Sequence, residues 1–338
     1  MKILSFAAAL LLPVCAFAAG ESDCTLAGAD ALADGETLYM TTGSSSQTKV
    51  KAVYSVSIKD PAKPAVLGSL SLAENGFPQA LAKDGKILYA ADALKFYVIS
   101  AADPAKMQLL SETVIGESTE FGPRGILSAG KKVYLACGKN GVVVMDVSDP
   151  KAPKELTRIA MPFARAVAAW EDVIVVSNDV AGLCFIKDDK PYFNYGFRWH
   201  SANGLCVSGD RLYVAAGGFL CESFTRSGKK LTPAGNFGRA PEAFFGTFAY
   251  DAVCPDGKTV YVAAGESGVY ELDLTKNPGR IIRSSGTIPG LLVKKLVCSG
   301  KYLYAVGADL DSDAALSVFD LKQKELLPLG APLRLTGK

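Results

Sequence analysis

Polar residues interrupt short apolar runs at regular places in this 338-residue chain. Gln79, Arg124, Arg165, Asn203, Asp251 and Lys294 each stand six residues before a turn residue, at 85, 130, 171, 209, 257 and 300. In the first copy that position is Ala29, and Asp30 follows it. Guanidinium forks grip carboxylate and phosphate, and amides bond hydroxyls. Just upstream lie Phe77, Phe121, Phe163, Trp199, His200, Phe244, Phe245 and Phe248, whose rings could stack on an apolar face. Together they suit an anionic or sugar-like ligand. The competing reading is equally physical: these polar groups are simply hydrated, and the aromatics only pack.

A second constellation is "DLDSDAALSVFD". Asp309, Asp311, Asp313 and Asp320 offer oxygen ligands at spacings resembling a calcium loop. Ala314 stands where the sharp turn wants glycine, and the flanks read as strands. The alternative is a solvated acidic turn. No other cofactor is expected. For acid–base chemistry the candidates are Asp30, Asp251 and His200. A hydrolase or lyase would need two of these within about 5.5 Å around a pocket.

Composition narrows the rest. A single histidine excludes any site built on several imidazoles. No CxxC or CxxCH occurs, so metal knuckles, redox motifs and haem attachment lack support. A formal charge of +2, with no basic stripe, argues against nucleic acid. "AGES" near Gly265 reads as a turn, since no strand-to-helix elbow surrounds it.

The elements that would position these residues repeat. "ADGETLYMTT", "KDGKILYAAD", "SAGKKVYLAC", "AWEDVIVVSN", "VSGDRLYVAA", "PDGKTVYVAA" and "CSGKYLYAVG" are seven copies of a turn followed by an aromatic or β-branched strand. Their period is about 44 residues, from turn residues Gly35, Gly85, Gly130, Glu171, Gly209, Gly257 and Gly300. A small-residue strand precedes each turn, and a third strand such as "GVVVMDV" follows. An Asp-Pro turn (Asp60-Pro61, Asp103-Pro104, Asp149-Pro150) then cuts that strand off, because proline donates nothing to a ladder. A looser fourth segment ends the copy. Four short strands make a meander too thin to bury both faces. Seven of them stacked around an axis can do so. The expectation is an all-β chain, a seven-bladed β-propeller of four-stranded antiparallel blades, spanning 19–338 as one domain. With the first strand innermost, the variable turns share one face, and the polar positions above line the channel mouth there.

"VVVMDVSDPKAP", "AVYSVSIKDPAKP" and "FYVISAADPAKM" resemble the LVIVD repeat, a family of exported bacterial proteins. The resemblance covers the first three copies well and decays in the last four. It implies a propeller outside the cytoplasm and carries no established catalytic residues.

Residues 1–18 read as a secretory signal peptide: Lys2, an apolar stretch too short for a bilayer, and Ala16-Phe17-Ala18 as a small-x-small cleavage site. The protein is expected to be exported, periplasmic or at the cell surface, with no transmembrane segment and as a monomer. Of eight cysteines, Cys15 leaves with the signal. Seven remain, so at least one stays unpaired within the chain. They read as small buried hydrophobes or as one or more disulfides. Ring closure is expected from packing, with a disulfide as an addition. Function is expected to be non-catalytic binding of a protein, glycan or small ligand. A hydrolase or lyase at the mouth is the alternative, and a structural part of an envelope assembly is a third reading.

Overall fold

The computed structural model describes residues 30–42, 52–72, 78–116, 123–196, 201–216, 219–236, 249–275, 279–308 and 314–335. The signal segment, Cys24, Trp199, His200, Asp309, Asp311 and Asp313 lie outside them, as do all the aromatics named above except Phe163. Within the described residues are seven four-stranded antiparallel sheets, each formed by four strands consecutive in sequence. They are blade 1 (31–71), blade 2 (80–114), blade 3 (125–159), blade 4 (166–195), blade 5 (202–236), blade 6 (251–284) and blade 7 (292–335). The expected seven-bladed propeller is the observed fold. The one described helical element is a three-residue 3-10 turn, Pro104–Lys106, and no described helix is long and apolar enough to cross a membrane.

Each blade opens on the hairpin that the turn residues announced. In blade 1, Asp34 pairs with Thr37 across a two-residue turn, and Gly35 takes a φ of 58°. That left-handed value suits glycine at the first central position of a hairpin turn. Glu171 adopts the same conformation in blade 4, with φ 54° and a side chain.

The first strands meet one another around the whole circle, including the first strand of blade 7 with that of blade 1. The fourth strands are the exposed ones. The core is therefore not one mass but seven slabs, each shared by two neighbouring blades. Tyr39 and Val53 pack with Leu88 and Tyr97 between blades 1 and 2. Leu38 and Tyr54 pack with Tyr304 and Leu316 between blades 1 and 7. The remaining five pairs are filled in the same way. That last slab joins the first and last sheets, and among the described residues no strand is shared between them. The six described cysteines are all free thiols, most of them buried.

The Asp-Pro turns also become intelligible. Asp103 Oδ1 accepts the Ala105 N–H at 3.0 Å, and Asp149 Oδ1 accepts that of Lys151 at 3.0 Å, which ends the strand. The turns of blades 2 and 3 then lean on the outer strands of the blade before each. Ser55 Oγ donates to Pro104 O at 2.6 Å, and Ser111 Oγ donates to Pro150 O at 2.7 Å. Six blades carry a register shift at one shared place between third and fourth strands, as at Ser55/Val56 and Val98/Ile99. Bulges of this kind raise local twist, which stacked blades need to stay in contact along their length.

Candidate functional site

Antiparallel pairing puts the loops after second and fourth strands on one face. There the turn after a blade's second strand bridges to the start of the next blade. Gly138 pairs with Ala164, Asp179 with Ala202, and Gly265 with Val293. This latch fixes the backbone on which the mouth residues stand.

The N–H groups of Gln79, Arg124, Arg165 and Tyr250 donate to the equivalent carbonyls of Ala91, Ala136, Ser177 and Ala263. Those four residues therefore occupy one ring of positions, to which Lys294 contributes from a bulge in blade 7. Counting six back from the glycine places Asp251 there instead of Tyr250. The first hairpin of blade 6 is one residue longer, since Val253 pairs with Tyr261 where Leu32 pairs with Tyr39.

Arg124 and Arg165 come from neighbouring blades and approach the same ring. Their guanidinium carbons lie 5.9 and 4.9 Å from the centroid of Phe163. Arg165 Nη2 also donates to Asp179 Oδ2 at 2.8 Å, and Asn178 Oδ1 accepts the Phe163 N–H at 2.8 Å. Lys294 Nζ sits 3.5 Å above the ring of Tyr250. Asn203 is spent on structure: its side-chain Nδ2 donates to Ala249 O at 2.8 Å, and its backbone carbonyl accepts from Ser177 Oγ at 2.6 Å. Gln79 is half-buried. Beside Phe163, on the same face, a cleft of about 680 Å³ is lined by Lys139, Asn140, Met161 and Pro162.

One residue further along each first strand lies a second ring of positions. Ala80, Gly125 and Ala166 pair with Ala91, Ala136 and Ser177, and the matching residues in blades 6, 7 and 1 are Asp251, Lys295 and Asp30. Lys295 Nζ lies 3.4 Å from Asp30 Oδ1 and 3.5 Å from Asp251 Oδ2. Each carboxylate also accepts a backbone N–H from the following blade. Leu81 donates to Asp30 Oδ2 at 2.7 Å, and Leu296 donates to Asp251 Oδ2 at 3.1 Å. Burial pushes the Asp251 carboxyl above its ordinary range, Asp30 adds to this, and Lys295 with the Leu296 N–H opposes it. Burial works against the Lys295 charge, yet Asp251 and Asp30 outweigh it and hold the ammonium above its ordinary value. Lys295 keeps 34% of its side chain accessible, against 11% and 7% for the two carboxylates.

Sequence reading brought Asp30 and Asp251 forward and missed Lys295 between them. The signal was present in "LLVKKLVCS": consecutive lysines on a strand point to opposite faces, so one of them had to turn inward. Asp320 stands at the far end of Ala314–Asp320, about 20 Å of extended chain from Ala314. It is held by Lys301 Nζ at 2.7 Å and by the Lys322 N–H at 3.0 Å.

The LVIVD repeat model matches residues 125–160, which is blade 3 with one residue beyond. No curated protein matches the chain. Solved structures share its fold at low identity. A protein from Bacteroides uniformis ATCC 8492, named as a putative 6-phosphogluconolactonase, aligns with TM-score 0.74 and 15% identity over 89% of this chain and 98% of its own. The computationally designed Ika8 protein gives 0.63 and 11% over 92% and 90%. The Cps50 (Swd1) β-propeller domain of Myceliophteria thermophila gives 0.64 and 12% over 84% and 93%. The family's unit and the structure's blade thus begin at the same glycine, Gly125: the third blade is an LVIVD repeat, and the chain is a seven-bladed β-propeller that carries it.

Proposed function

We propose that this chain is an exported, non-catalytic propeller that binds an anionic or sugar-like ligand at the mouth beside blades 3 and 4. The observation that carries the reading is the pair Arg124 and Arg165, which adjacent blades bring to the one ring of Phe163, at 5.9 and 4.9 Å from its centroid. A ring with two guanidinium groups close to it combines an apolar platform with positive charge. That combination matches a ligand with an apolar face and anionic or hydroxyl substituents. The neighbouring cleft gives such a ligand room. The test is native mass spectrometry of protein purified from its own host, followed by Arg124→Ala and Arg165→Ala. Loss of a co-purifying ligand in variants with unchanged melting supports the reading; unchanged retention removes both arginines from it.

A hydrolase is the second reading, favoured by one observation. Two acids converge on one ammonium, and burial leaves one of them, Asp251, reluctant to ionise. Such a pair could give and take a proton. The fold neighbour named as a lactonase makes a sugar lactone the first substrate to assay. Turnover abolished by both Asp251→Asn and Asp30→Asn would replace the binding reading with this one.

A further inference from the structure

Among the described residues no strand is shared between the first and last blades, and a charged set sits at their join beside the apolar slab. We infer that Lys295 is the closing pin of the propeller: it bridges blade 6 to blade 1 from its seat in blade 7, through Asp251 and Asp30. The second ring of positions carries the argument. In blades 2, 3 and 4 it holds Ala80, Gly125 and Ala166, and in blade 5 Gly204 meets Asp251 in the same manner. There the strands come backbone to backbone. A Cβ on Gly125 would lie 2.8 Å from Ala166 Cα, and one on Gly204 would lie 2.7 Å from Asp251 Cα. Charged residues take over this position only in blades 6, 7 and 1, the three consecutive blades around the join.

Their contacts form a chain across it. Asp251 accepts Leu296 N–H from blade 6 to blade 7, Lys295 meets Asp30 from blade 7 to blade 1, and Asp30 accepts Leu81 N–H from blade 1 to blade 2. The two aspartates use the same geometry twice, each reaching the N–H that follows the equivalent position in the next blade. Lysine is the residue that lets them coexist. Without it two carboxylates stand buried near each other, uncompensated, and removal of one partner of a buried charge set is far costlier than removal of the set. The pin acts beside the apolar slab of Leu38, Tyr54, Tyr304 and Leu316, which closes the same join further out.

Hydrogen exchange read by mass spectrometry separates a pin from a general stabiliser. In Lys295→Met, amides of 31–34 and 292–299 should exchange about tenfold faster or more, while those of 125–129 and 166–170 keep their wild-type rates. The double variant Asp30→Asn with Lys295→Met should regain part of the lost protection, because one of the stranded charges is gone. If Lys295→Met does not fold, Asp30→Asn alone gives the milder test. It keeps an acceptor for Leu81 but removes the charge facing Lys295, and should loosen 31–34 and 292–299 selectively. Even acceleration around the ring, or none at the join, overturns the inference.

Discussion

Ser55 Oγ donates to the Pro104 carbonyl at 2.6 Å, a bond that joins the middle of one blade to the turn of the next. Ser55 is fully buried, and beside it the Gly68 Cα faces the same turn so closely that a Cβ would lie 2.6 Å from Ala105 O. Replacing Ser55 by Ala removes a hydrogen bond to a half-buried carbonyl and should cost about 0.5–1.5 kcal/mol. Gly68→Ala should cost about 1–3 kcal/mol by forcing the two backbones apart. Denaturant midpoints should fall in both with the slope unchanged. A midpoint within error of wild type in both would show that the turn merely lies beside the bulge.

Glu171 takes the left-handed conformation that glycine holds in the other six hairpins. A side chain there costs roughly 1–2 kcal/mol. Its exposed carboxylate pairs with the largely buried Arg226 side chain at 2.6 Å, but Arg226 also holds Asp172 at 2.6 Å and keeps that partner when Glu171 is removed, which holds the loss to about 0–1 kcal/mol. Glu171→Gly should therefore raise stability by about 0–1 kcal/mol. A clear loss on thermal unfolding would mean that the Arg226 pair outweighs the strain.

The fold was legible because three local signals agreed. Gly35 and its counterparts set the hairpin, Tyr39 and its counterparts filled the slabs, and Asp103-Pro104 or Asp149-Pro150 ended the third strand. Each depends on a residue's own backbone or volume, so each shows in one dimension. The site was legible in part. Arg124 and Arg165 were found by counting from the turn, which works while hairpins keep one length. The count slipped at Tyr250, where one extra residue precedes the second strand. Lys295 escaped because its meaning lies in Asp30, some 260 residues away in sequence and adjacent only once the circle closes.

The thiols offer a test of burial. Burial pushes Cys137, Cys206 and Cys298 up to about 12, and Cys221 well above its ordinary value. Thiolate is the reactive form, so at pH 8 these four should label slowly with a disulfide reagent in the native protein and quickly in denaturant. Peptide mapping assigns each. Rapid native labelling of Cys206, whose Sγ accepts the Cys254 N–H at 3.3 Å, would show that blades 5 and 6 part readily.

Asp251 gives the pH prediction. Its carboxyl is raised in the folded protein, by burial first and by Asp30 next. A raised group contributes stability that is complete below the unfolded value, about 3.9, and that is lost as pH climbs through the folded value. Wild type should therefore lose stability relative to Asp251→Asn across the window that opens near pH 4, and the gap should level off once Asp251 is ionised in both states. At pH 7 Asp251→Asn should be as stable as wild type or more so, since asparagine still offers an oxygen to Leu296 and Lys295 keeps Asp30. Lys295→Met has the opposite expectation, because it removes the one cation serving two carboxylates. Melting temperatures of the three proteins between pH 4 and pH 8 decide the matter. If Asp251→Asn loses stability at pH 7 as heavily as Lys295→Met, then the charge on Asp251 is itself structural, and a proton-handling role for it loses its physical basis.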